Sequence, residues 1–362
     1  MNKILGKSSI GFILLLSITL GENPLKYAKP KLSDYGFFIG NMADHIPRDG
    51  VLPYDVSAQL FSDYALKSRF IVLPNDEQLS YKLDGSFDFP RESILIKTFY
   101  YPEDLRKPKD NIRLMETRLL IHTPEGWMGF PYVWNEEQTE AILEIAGERM
   151  DASFIDKNGG KTKFEYVVPN FNQCKGCHVN QNRMIPIGHK VRLLNHEFDY
   201  NDGKMNQLKK WSILDMIHGL PNISTLPHTP DYSDVRDGST ADRARAWIDI
   251  NCAHCHRLGA PGETSGLFLN IEETDPTKLG IMKPPVAAGR GAGDRLHTIV
   301  PGEPEKSIMI YRMESTDPGI MMPQLGRKLV HKEGVELVRK WIKEMKSTTL
   351  NQRLINLIHP PF

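Results

Sequence analysis

The sequence predicts a multidomain α+β chain, with an antiparallel β domain first, a cysteine-bearing segment next and an all-α unit at the C-terminal end. Three observations predict it. Strand-type alternation and turn signals fill residues 68–168. Two five-residue cysteine motifs follow at 174–178 and 252–256. Helix-period apolar stripes flank the second motif, near 240–251 and 332–346. The implied divisions are a leader over 1–21, an irregular arm over 22–67, the β domain over 68–168, a first cofactor-binding region over 169–238, the C-terminal unit over 239–346 and a tail over 347–362.

The leader is read from Lys3 and Lys7, the apolar run Ile10–Leu20 and the polar Gly21-Glu22-Asn23-Pro24. Charge and length suit a secretory signal removed near Gly21–Asn23. No cysteine closely follows the run, which excludes a lipoprotein anchor, and the run is shorter than the ~20 residues of a spanning helix. The arm is rich in Pro, Gly and Asp.

In the β domain, Ser93–Tyr101 is β-branched and aromatic and stops at Pro102. Glu116–His122 follows, and Glu125-Gly126 turns the chain into Trp127–Trp134. Ser153–Asp156 and Lys163–Val168 flank Asn158-Gly159-Gly160, a strong hairpin signal. Beyond the first cysteine motif a helix is expected near Met205–Ile217, ended by Gly219 and Pro221, and then a loop over Leu220–Gly238. Ser239 or Thr240 caps a helix through Asn251 that runs into Cys252, and a last helix over Lys332–Lys346 presents Val335, Val338, Trp341, Ile342 and Met345 on one face.

The two cysteine motifs carry the chemistry. Cys174-Lys175-Gly176-Cys177-His178 and Cys252-Ala253-His254-Cys255-His256 are both Cys-x-x-Cys-His, and they use all four cysteines of the chain. This is the attachment pattern of a c-type haem. Each thiol forms a thioether to one vinyl group, and the adjacent histidine is held under the iron as its proximal ligand. A redox disulfide or an all-thiolate zinc site also uses paired Cys-x-x-Cys, but neither requires a histidine straight after the second cysteine. The expected cofactors are therefore two covalent haems, attached through Cys174, Cys177, Cys252 and Cys255 and ligated by His178 and His256. Thioether attachment takes place outside the cytoplasm, so the leader and the motifs agree on an exported, periplasmic bacterial protein.

For the second iron the expected distal ligand is Met322, within the Met321/Met322 pair of Gly319-Ile-Met-Met-Pro323, because class I cytochrome c domains show a similar Met beside a Pro; the same resemblance implies that the Pro261 carbonyl accepts from His256. Arg290 is placed to reach a haem propionate or to sit in a solvated loop. For the first iron Met184, His189, His196, His122 and Met150 are all candidates, as is an open sixth position. The 45 basic and 45 acidic residues cancel, and no long charge run occurs, so neither nucleic acid nor a membrane surface is implied as a partner, and membrane association is expected only if the leader stays uncleaved.

The stretch Ser239–Lys346, with its motif-delivering helix, long covering segment, Met-Pro and closing helix, resembles a class I cytochrome c domain. Through Gly50–Asp55, Leu60–Tyr64, Glu116–Leu120, Tyr132–Asn135, Asn251–His256, Pro284–Arg290 and Met322–Arg327, the whole chain resembles a family of poorly characterised bacterial di-haem c-type cytochromes. The resemblance implies two haems and export, and it brings no catalytic residue. Two functions are expected on these grounds: single-electron transfer between a periplasmic donor and acceptor protein or, alternatively, a di-haem enzyme such as a peroxidase with an open iron. In a third reading the β domain is a sensor or binding module.

Overall fold

The computed structural model describes residues 24–346. The leader over 1–21 and the tail over 347–362 lie outside the described residues. At its centre is one antiparallel sheet. Strands β1 (Val51–Pro53) and β2 (Leu66–Val72) open it, β3 (Leu79–Tyr81) and β4 (Phe87–Asp88) leave it, and β5 (Ile94–Pro102), β6 (Ile112–Thr123), β7 (Gly126–Trp134) and β8 (Ala141–Leu143) complete it. The order is β1-β2-β5-β6-β7-β8, with each long strand hydrogen-bonded to the next in sequence. The arm was expected to be irregular. It is largely irregular with three short 3-10 turns, but its Val51–Pro53 pairs with β2 as the sheet edge.

Register sorts the side chains onto two faces. Phe70, Ile96, Leu119 and Phe130 stand in one cross-strand row and pack under Leu32 and Phe37 of the arm. The neighbouring rows, on the other face, run Ile71, Leu95, Leu120, Gly129 and Arg69, Lys97, Arg118, Pro131. That second face receives the cysteine motifs.

Strands β9 (Glu148–Ile155) and β10 (Lys161–Val168) form the expected hairpin, whose Ala152, Phe154, Tyr166 and Val168 pack on Phe99, Tyr101 and Met115. Helix α1 (Phe171–His178) starts at Asn170, whose side chain accepts from the Gln173 amide while Gln173 reaches back, a reciprocal cap. A small ladder follows, β11 (Val179–Asn180) with β12 (Arg183–Met184). Next come α2 (Val191–Leu194), β13 (Glu197–Tyr200), β14 (Gly203–Asn206), α3 (Gln207–Ile213) and β15 (Ile217–His218). Helix α3 is shorter than predicted: Asn206 caps it, Met205 belongs to β14, and Asp215 takes a left-handed φ of 55° that breaks the period before Ile217. β15 pairs with β3 in a three-stranded sheet with β4, so this region is stitched into the N-terminal half.

Helix α4 (Thr240–Ile248) carries the predicted cap, with Ser239 accepting from the Asp242 amide, and continues through a π turn over Asp249–Ala253 that holds Cys252. Helices α5 (Ile308–Glu314) and α6 (Lys332–Glu344) pack on α4 through Ala244, Trp247, Ile248, Ile310, Val338 and Ile342.

The predicted C-terminal all-α, class I cytochrome c-like domain is not found, and with it falls the multidomain α+β reading. Among the described residues the chain is β-rich, and its helices are few and short. Between α4 and α5 the chain passes Pro261, Gly262, Pro276, Pro284, Pro285 and Gly289, residues that oppose helix propagation, and it forms turns and isolated bridges instead. Nor does the region close on itself. The Asp63 carboxylate accepts from the Lys328 and Leu329 amides, and Asn251 Oδ1 accepts from the Phe61 amide, which tie it to the N-terminal half. Two amphipathic stripes were read as a helical domain when they are two helices lying against a β structure. Among the described residues no helix is long and apolar enough to cross a membrane.

Candidate functional site

A cavity of about 380 Å³ lies between the second sheet face, α1 and the chain around Met321–Lys328. Its size falls within the range of small-molecule and cofactor sites. Cys174, Cys177 and His178 line it from α1, and Asn251 and His254 reach it from the second motif. The approach of α1 to the sheet depends on Gly129 of β7. A Cβ there would stand 3.1 Å from Met184 Cε and 3.4 Å from Cys174 Cβ.

The two motifs touch. Cys255 Sγ is 3.9 Å from the Gly176 carbonyl, and the Gln181 amide donates to the Gly259 carbonyl at 2.8 Å. The Cys177 thiol hydrogen-bonds with Cys255. That bond, with burial, pushes Cys177 up to about 12, while Cys255 is lowered as the acceptor. Burial also raises Cys174, and takes Cys252 to about 12. Burial thus favours the neutral thiol at Cys174, Cys177 and Cys252. No group of three or more His, Cys, Asp or Glu side chains among the described residues is placed to hold a metal ion, so the four thiols do not converge as a zinc knuckle would require.

The residues fit a thioether-bound haem at the first motif on three counts. His178 Nδ1 lies 2.8 Å from the Ile185 carbonyl, so Nδ1 carries the proton and the Nε2 lone pair is free for a metal. Burial lowers His178 to about 4, which keeps the ring neutral as ligation requires. The walls supply apolar surface from Leu95, Phe99, Phe130 and Ile187 and cations from Arg69, Lys97 and Arg118.

Of the candidate sixth ligands, Met184 and His189 line this cavity and the others do not. His189 is half-buried, with Nε2 2.6 Å from the Tyr54 hydroxyl and a buried Nδ1 that has no hydrogen-bond partner among the described residues. His196 is held in a polar network with Gln207 and the Asp55 carbonyl. His122 bonds the Pro90 carbonyl and stacks on Trp127, and Met150 packs in the hairpin core.

At the second motif, His256 Nδ1 lies 3.1 Å from Ser265 Oγ, which itself donates to the Gly262 carbonyl at 2.6 Å. The hydroxyl therefore accepts from Nδ1–H. It takes the place expected for the Pro261 carbonyl and fixes the same tautomer as at His178. Burial lowers His256 to about 4. Met322 lies with Trp247, Met313 and His331 around a space of about 10 Å³, Met321 lines the large cavity, and His256 lines neither space. The two cavities thus do not bring His256 and Met322 to one wall. Arg290 is exposed and pairs with Asp317 at 2.8 Å.

Sequence reasoning missed the cations. Burial holds Lys97 well below its ordinary value and brings Lys67 to about 7. The signal was present. Lys97 falls in phase with the buried Leu95 and Phe99, where an alternating strand puts its apolar face. Ser265 could not have been found by spacing alone.

No protein-family profile, no curated protein and no solved structure matches the chain.

Proposed function

We propose that the chain is an exported di-haem c-type cytochrome that passes single electrons between periplasmic donor and acceptor proteins. The observation that carries the reading is the pairing of two Cys-x-x-Cys-His motifs, in mutual contact, with a backbone or hydroxyl acceptor behind each histidine Nδ1. Each haem, when bound, supplies a one-electron iron couple. Cys174, Cys177 and His178 hold the first, and Cys252, Cys255 and His256 the second. Ile185 and Ser265 orient the two imidazoles. Met184 and His189 on the first cavity wall favour a closed iron over the open iron of the peroxidase alternative. Met322 is the sixth-ligand candidate at the second motif, on its place in the chain.

Mass spectrometry of protein matured in a haem-attaching host tests the cofactor: two added haems are expected, with one lost in Cys174→Ala/Cys177→Ala and the other in Cys252→Ala/Cys255→Ala. Retention of both in either variant ends the reading. Carbon monoxide separates carrier from enzyme. A reduced spectrum unchanged by the gas supports the carrier, whereas ready binding with peroxide turnover supports the alternative. Met322→Ala is expected to abolish a methionine-to-iron charge-transfer band that Met321→Ala leaves intact.

A further inference from the structure

The sheet face over the cavity carries a row that strand physics disfavours. Arg69, Lys97 and Arg118 stand directly opposite one another on β2, β5 and β6, and all three line the cavity. Like charges directly opposite across strands repel. Cations withdrawn from bulk water also need partners. Two carboxylates answer the row. Asp55 pairs with Arg69 at 2.5 Å, and Glu116 takes Arg118 through two bonds of 2.5 and 2.8 Å. Lys97 stands between these pairs. Its Nζ lies 4.8 Å from the centre of the Phe99 ring, and it has no hydrogen bond or ion pair to a carboxylate among the described residues. Asp63, the acid on the cavity wall itself, is already committed to the Lys328 and Leu329 amides. Three basic residues against two carboxylates leave the middle one, Lys97, without an anion at the wall of a cavity large enough for a cofactor.

We propose that Lys97, flanked by Arg69 and Arg118, is a carboxylate-binding site, and that the carboxylate it takes is a propionate side chain of the first haem. This rests on the cytochrome reading above. A small free carboxylate has the same chemistry, and the experiment separates the two sources.

The full chain carrying Cys174→Ala/Cys177→Ala, matured so that only the second motif is loaded, is titrated with zinc protoporphyrin IX and with its dimethyl ester, which has no free carboxylate, following fluorescence polarisation. The diacid is expected to bind at least about tenfold tighter than the diester, as one charge-assisted pair requires. Lys97→Met in this background is expected to cut diacid affinity about tenfold and leave the diester within about twofold, and Lys97→Arg to restore the preference. Thermal melting without porphyrin guards against misfolding: Lys97→Met replaces an amine that has no carboxylate partner by an apolar chain of similar length, so it should melt no lower than its parent. Equal binding of diacid and diester, or equal weakening of both by Lys97→Met, overturns the proposal and leaves the cytochrome reading standing. If neither porphyrin binds while succinate raises the melting temperature in a Lys97-dependent way, the carboxylate is a free small molecule and the propionate assignment is overturned. If neither porphyrin nor succinate acts, both the anion site and the tetrapyrrole reading of this cavity fail.

Discussion

Glu116 is the residue on which the cationic face most depends for its stability. Its side chain is wholly buried, accepts two bonds from Arg118 and takes a third from the Tyr166 hydroxyl at 2.6 Å. Arg118 in turn stands over the Phe99 ring at 4.3 Å and opposite Lys97. Glu116→Gln preserves shape but removes the charge. Arg118 is then left beside Lys97 and Arg69 with no anion of its own. Breaking a buried pair from one side costs about 3–5 kcal/mol. Arg118 keeps part of its surface at the cavity, which admits some solvation, so the lower half of that range is expected.

Urea unfolding of the full chain, followed by far-UV circular dichroism, measures the loss as a shift in midpoint at constant slope. A double variant sharpens the argument. Glu116→Leu/Arg118→Met removes both charges, and replacement of a buried pair by apolar residues is often neutral or stabilising. The double variant should therefore recover most of what the single one loses. A single-variant loss under about 1 kcal/mol, the range of an exposed surface pair, would refute the account of Glu116 as the anchor of this face. So would a double variant as unstable as the single one.

Three further outcomes are expected. Gly129→Val places branches where the Cβ alone would already stand 3.1 Å from Met184 and 3.4 Å from Cys174; overpacking of about 1–3 kcal/mol should displace α1, and mass spectrometry should show loss of the first haem with the second retained. Gly259→Ala meets both a left-handed φ of 75° and Asn180 Oδ1 at 2.7 Å, so it should separate the motifs and weaken any paired-haem signal in Soret circular dichroism while both haems stay attached. His45, hydrogen-bonded to Thr98 and packed among Phe38, Phe70 and Trp134, is lowered by burial to about 4, so the fold favours its neutral form. Its stabilisation is whole above the unfolded value near 6.5 and is lost as pH falls towards 4, by about 1–3 kcal/mol, so His45→Phe should flatten the stability curve in that window and leave it unchanged above pH 7.

What was legible in the sequence was local. β5, β6 and β7 were readable because their alternation and flanking turns are properties of nine to twelve consecutive residues. The caps of α4 and the stripe of α6 were readable for the same reason. The C-terminal architecture was not, because Ala244, Trp247, Val338 and Ile342 report only that two helices bury one face each. They do not report that the chain between them stays irregular or that Asp63 holds its far end. The thioether and histidine positions are contiguous in sequence and could be named at once. The acceptors behind the histidines could not be: Ile185 and Ser265 come into range only after a short ladder and a turn have formed.

The cation row makes the same point at longer range. Arg69, Lys97 and Arg118 become neighbours only through the register of three strands, and a shift of one residue would turn Phe70 or Ile96 towards the cavity instead. The opposite face resists that shift, because its apolar row is locked under Leu32 and Phe37. The arm therefore acts on the cavity through the sheet: by burying one row it fixes which row is presented to α1. Loss of the arm's apolar contacts should accordingly disturb the charged face before it disturbs the helices around α4, whose core is built from separate residues.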